Sequence, residues 1–103
     1  MTGKKVSPYM ICLELPPINE EMAALIPAQR AMVNRLFMDG ILLSYSLSQD
    51  RKMLWCVIMA DSEPAATALV ASFPLHPWFR DWTVHPLLFH NAMPSANLPV
   101  SLN

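Results

Sequence analysis

NEEMAALIPAQRAMVNRLFMDG, residues 19–40, is the stretch whose reading decides the fold. At about 100° per residue with Gln29 at zero, Met22, Leu25, Ile26, Met32, Val33 and Leu36 all fall within roughly 60° of it. That is an apolar stripe with a polar amide at its centre, and it predicts one long helix laid across a sheet. Asn19 is a good N-cap, Glu20 and Glu21 complement the helix dipole, and Gly40 fits the residue that ends the helix. Pro27 removes one helical hydrogen bond, so the helix is either kinked there or regular only from about Ile26.

Upstream, residues 9–15 (YMICLEL) read as a strand stopped by Pro16-Pro17, which offer no N–H to a ladder. Tyr9, Ile11, Leu13 and Leu15 share one face, and Met10, Cys12 and Glu14 the other. Downstream, residues 41–48 alternate, with Leu43, Tyr45 and Leu47 on one face and Ser44, Ser46 and Ser48 on the other. Gln49–Lys52 is a polar turn, with Arg51-Lys52 read as a solvated pair, so a hairpin leads into residues 53–60 (MLWCVIMA). That run is apolar throughout and predicts a central strand. Ser62 caps a second helix, with Ala65, Ala68, Leu69 and Ser72 as its packing stripe. Residues 75–79 (LHPWF) form a stiff aromatic loop, and 82–89 a fourth strand in which Pro86 requires an edge position or a bulge.

The order β-α-β-β-α-β is ferredoxin-like: an α+β fold with a four-stranded antiparallel sheet and two helices on one face. Residues 1–90 make one domain, and 91–103 an extended tail holding Pro94 and Pro99. The second sheet face carries large apolar groups from the third strand, which predicts at least a homodimer packed sheet against sheet. An apolar content of 53% against 15% charged residues points the same way.

Net charge is −1 and no basic cluster exceeds a pair of residues, which argues against nucleic acid or an anionic membrane as partner. No apolar run approaches the roughly 20 residues of a membrane span, and none follows the basic start as a signal peptide requires. Cys12 and Cys56 read as buried thiols of a reducing compartment, hence a cytoplasmic protein. His85 and His90, an odd number apart on the expected fourth strand, face opposite ways. No H-x-H or C-x-x-C spacing occurs, so neither a metal nor any other cofactor is expected.

Several features resemble muconolactone isomerase and its relatives among the dimeric α/β-barrel proteins. They are the Leu15-Pro16-Pro17 exit from the first strand, the long helix ending at Gly40, the run Pro74-Leu75-His76-Pro77-Trp78, and Val84-His85-Pro86-Leu87. The resemblance covers nearly the whole domain. It implies a proton shift along a small unsaturated lactone, with ionisable groups between the first helix and the sheet. It also implies a carboxylate at the position of Gln29, a basic residue at Arg30, and a carboxylate at the position of Cys12. Gln29 is neutral and cannot take a proton, so the chemistry in its family form is altered here.

The candidate site follows. A buried amide at Gln29 needs a partner, which is either a structural hydrogen bond or a pocket ligand. Arg30, at the stripe's edge, either reaches solvent or anchors an anion. Tyr45 packs in the core or turns its hydroxyl toward Gln29. Trp78 and Phe79 either pack or wall a flat apolar ligand. His76 and Glu14 are the candidates for moving a proton, against a loop contact for the first and a solvated strand end for the second. Two functions stay open: an isomerase-like enzyme acting on a small cyclic or aromatic-derived acid, and a non-catalytic protein binding such a molecule. A haem-using or cofactor-free oxygenase of the same barrel type is a weaker third, with nothing at ligand spacing to support haem.

Overall fold

The computed structural model describes residues 5–93. The elements run β1 (Ser7–Glu14), α1 (Glu20–Met38), β2 (Leu42–Leu47), β3 (Met53–Ala60), α2 (Glu63–Ala71), a short 3-10 turn (His76–Trp78) and β4 (Arg80–Pro86). The strands form one antiparallel sheet in the order β2-β3-β1-β4. This is the ferredoxin-like α+β architecture. The expected tail lies outside the described residues beyond Met93.

Local chemistry sets the bounds of α1. The Asn19 side chain accepts the Met22 N–H at 2.8 Å, which satisfies one of the helix's orphan donors. At the far end Gly40 has φ +71°. Gly40 N–H donates to Phe37 O at 3.1 Å, and Ile41 N–H to Leu36 O at 2.9 Å. This paired closure is a Schellman motif, and glycine enters its left-handed position without steric cost. The helix begins at Glu20 and contains Pro27, rather than beginning near Ile26. The carbonyl that Pro27 leaves without a partner belongs to Ala23, an exposed residue, so water can satisfy it.

The buried residues of α1 are Met22, Gln29, Val33 and Leu36, the expected stripe. Val33 and Leu36 pack in one core with a face of the sheet made by Tyr9, Ile11 and Leu13 of β1 and Leu54, Cys56 and Ile58 of β3. Burying such side chains contributes on the order of 1.5–3 kcal/mol each.

The stripe of α2 is corrected in part: Ala65 and Leu69 pack against the core as expected, partly buried. Ala66 and Val70 are its buried residues, with Phe73 following at 3% exposure, whereas Ala68 and Ser72 are exposed. The spacing i, i+4, i+7 puts the larger apolar groups Val70 and Phe73 inward, and their area outweighs that of a small-residue stripe.

A second correction concerns β2. Leu42 pairs with Ile58 and Ser44 with Val57, so Leu43 is an extra residue, a bulge. The bulge turns Leu42 inward at 1% exposure and leaves Leu43 at 38%. Beyond it Tyr45 opposes Cys56 and Leu47 opposes Leu54, both on the helix-covered face.

The fourth strand is also shifted. It spans Arg80–Pro86 instead of 82–89, and His90 therefore lies beyond it. It occupies a sheet edge, where Pro86, its last residue, costs no ladder bond. The register slips between Cys12 and Glu14, and Asp81 takes φ +47° beside the slip. Away from the helices, Met10, Cys12, Trp55, Val57 and Met59 form an apolar sheet face, with Trp55 38% exposed.

Candidate functional site

The topology brings four chain segments to one end of the sheet: the exit of β1, the start of α1, the β2–β3 hairpin and the entry to β4. Between them lies a cleft of about 970 Å³, at the upper end of ordinary small-molecule sites. Leu15, Pro16, Pro17, Ile18, Met22 and Ile26 supply its apolar wall. Arg30, Arg51, Lys52 and Arg80 bring positive charge to it, and Glu14 and Asp50 negative charge.

Gln29 and Tyr45 form its polar centre. Gln29 is 4% exposed. Its Nε2 donates to Tyr45 Oη at 3.1 Å, and its Oε1 accepts the Leu75 N–H at 3.1 Å. One amide thus ties α1 to β2 and to the connection after α2. Gln29 is structurally hydrogen-bonded, and it also lines the cleft. Burial pushes the Tyr45 hydroxyl above its ordinary value, against a smaller opposite effect of the Gln29 bond. Tyr45 is therefore a neutral phenol at ordinary pH.

The hairpin is built by Asp50. Its carboxylate accepts Ser48 Oγ–H at 2.6 Å and Lys52 N–H at 3.0 Å, and these bonds hold it below the usual aspartate range. Arg51 takes the left-handed conformation with φ +65° at the tip. Leu15 N–H donates to Lys52 O at 2.8 Å, fixing the hairpin to the β1 exit. Asp50 is occupied as a turn builder. That leaves Glu14, an exposed residue at the last position of β1, as the other carboxylate of the lining.

Glu14, Gln29, Arg30 and Tyr45 thus meet in one cleft, and His76, Trp78 and Phe79 are not among its lining residues. The His76 ring stands edge-on to Phe79 and to Trp82, with centroids 6.0 Å apart in each case. Phe79 packs edge-on to Phe73 at 6.3 Å. Trp78 and Phe79 do not line the cleft, whose apolar wall is the Leu15–Ile18 loop with Met22 and Ile26.

Sequence reasoning missed Arg51, Lys52 and Arg80 in the cleft lining. Arg51-Lys52 is exposed as expected of a turn, yet the antiparallel order β1-α1-β2-β3 sets that turn beside the strand-one exit. That topological consequence was the available signal.

On the other sheet face His85 Nε2 and Thr83 Oγ1 lie 2.9 Å apart. Cys12 and Cys56 are free thiols. Among the described residues no group of three or more His, Cys, Asp or Glu side chains is placed to hold a metal, and no helix is long and apolar enough to cross a membrane. No protein-family model and no curated protein sequence matches the chain.

Proposed function

We propose that the cleft binds a small cyclic or aromatic-derived acid and that the protein shifts a proton on it, in the manner of a muconolactone isomerase with an altered pocket. The observation that carries this reading is the meeting in one cleft of an apolar wall, four cationic and two acidic side chains, and the hydrogen-bonded Gln29–Tyr45 pair. A flat ring fits the Pro16–Ile18 and Met22–Ile26 surface, and its carboxylate meets Arg30 with support from the other rim cations. Glu14 is the base that remains when Gln29 is neutral and Asp50 is tied into its turn. In this reading the Glu14 carboxylate takes the proton from the saturated ring carbon at the far end of the conjugated system, the electron pair moves through the ring double bond into the lactone carbonyl, and the same carboxyl returns the proton to the carbon beside that carbonyl. No bond to the protein forms and no redox partner is needed.

The test is the ultraviolet change of muconolactone incubated with the protein. Turnover that falls at least a hundredfold in Glu14→Gln, with unchanged circular dichroism, supports the reading. Absence of turnover by the folded wild-type protein removes the isomerase activity.

A second reading, a non-catalytic binding protein of the same fold, is favoured by the commitment of both polar ends of Gln29 to Tyr45 and Leu75. It predicts thermal stabilisation by small ring acids without their consumption. Under both readings the protein is a homodimer whose apolar sheet faces, centred on Trp55 and Met10, cover each other. The cell compartment is the cytoplasm, where Cys12 and Cys56 stay reduced.

A further inference from the structure

The hydrogen-bond chain at the centre of the cleft has a fixed polarity. A backbone N–H can only donate, so the Gln29 atom facing Leu75 N at 3.1 Å is the amide oxygen. The other end of the same planar amide, facing Tyr45 Oη at 3.1 Å, is then the nitrogen. That nitrogen has only protons to offer, so the phenol oxygen accepts from it. The phenol's own proton cannot point back along that bond. Among the described residues no acceptor takes it, and Tyr45 lines the cleft. Burial keeps the phenol protonated, and the low local dielectric strengthens any bond it donates.

We propose that Tyr45 is a fixed hydrogen-bond donor to the ligand, oriented by Gln29, so that the cleft selects rings carrying an acceptor such as a ketone or lactone carbonyl away from their carboxylate. This rests on the small-acid reading and adds to it the chemical class that Tyr45 recognises. Apart from Gln29 and Tyr45 the cleft lining holds only apolar and charged side chains, with Met22, Ile26 and Leu54 among the apolar ones. A ligand with a donor there meets the Tyr45 proton head-on, and one with a hydrocarbon edge leaves it unpaired. Gln29 is a positioning residue, acting through Tyr45. Tyr45 is the contacting one.

The test uses two isosteric probes in isothermal titration: a cyclohexane carboxylate with a ring ketone opposite the acid, and its twin with an exocyclic methylene in place of the ketone oxygen. Wild-type protein binds the keto acid about tenfold more tightly, the worth of one satisfied buried hydrogen bond. Tyr45→Phe binds the two alike, at the affinity wild type shows for the methylene twin. Gln29→Met, which keeps the bulk and loses the amide, lowers the preference although Tyr45 is still present. A purely structural role of Gln29 would weaken both probes equally and leave their ratio alone. Equal binding of the probes by wild type, or a preference that survives in Tyr45→Phe, overturns the donor assignment while the small-acid reading stands. Binding of neither probe overturns both. Should Gln29→Met fail to fold, the Tyr45→Phe comparison decides by itself.

Discussion

Replacing Gln29 with leucine tests whether one amide joins three parts of the domain. The substitution deletes the bonds from Gln29 to Tyr45 Oη and to Leu75 N–H, both 3.1 Å. At about 1 kcal/mol net for each, the direct loss is about 2 kcal/mol. Two effects modify it. The Leu75 N–H and Tyr45 hydroxyl border the cleft, so water entering it limits the penalty of leaving them unpaired. Leucine adds apolar area at a position 4% exposed, which offsets up to roughly 1 kcal/mol. The expected destabilisation is therefore about 1–2 kcal/mol, a fall in melting temperature of roughly 4–15 °C for a domain of this size. Urea and thermal unfolding followed by circular dichroism at one fixed protein concentration read it, because oligomer stability depends on concentration. A cycle with Tyr45→Phe isolates the Gln29–Tyr45 bond, with an expected coupling of about 1 kcal/mol. A Gln29→Leu protein as stable as wild type, with no coupling to Tyr45→Phe, would refute the reasoning.

Three further outcomes are expected. Burial, with a smaller contribution from Cys12, pushes the Cys56 thiol from 9.0 up to about 12. A folded value above the unfolded one stabilises the protein fully below pH 9 and loses that contribution as pH rises toward 12. Urea melts across that window should show an alkaline decline that Cys56→Ala flattens, and an equal decline in both proteins would contradict it. Light scattering should give a dimer mass for wild type and a monomer mass for Trp55→Lys, and a monomeric wild type at micromolar concentration removes the sheet-to-sheet dimer. Gly40→Ala should cost about 1 kcal/mol through backbone conformation alone. A β-carbon there meets nothing within 4 Å, so unchanged stability in urea would show that the left-handed turn carries no strain.

The parts of the fold legible in the sequence were those fixed by short-range chemistry. Asn19, Gly40 and Ser62 mark helix ends through their own side chains or backbone freedom, and the unbroken apolar run from Met53 to Ala60 marks a strand inside the sheet, where β3 lies between β2 and β1. The α1 stripe was legible because Gln29 sits among large apolar residues at one angle. Leu43 was misplaced because alternation assumes an unbroken ladder, whereas the bulge depends on how β2 meets β3. Ala68 and Ser72 were misassigned to the α2 stripe because its alanines carry little angular information, and Phe73, which anchors that face, lies beyond the helix end.

The site was legible in part for a similar reason. Gln29, Arg30, Tyr45 and Glu14 belong to elements whose faces the sequence specifies. Leu15–Ile18 and Arg51-Lys52 belong to loops, and only the strand order sets them side by side. His76 drew notice as a titratable group in a distinctive loop, but its neighbours Phe79 and Trp82 are aromatic rings that use it for packing.

The most direct test of the small-acid cleft is a nuclear magnetic resonance titration of nitrogen-labelled protein with the keto acid. The account predicts saturable shifts at the Gln29 side-chain amide, the Leu75 N–H and the Arg30 and Arg80 signals, with the amides of Met10 and Val57 on the opposite sheet face unmoved. Shifts centred on Met10 and Val57, or none at Gln29 and Leu75 at saturation, would contradict it.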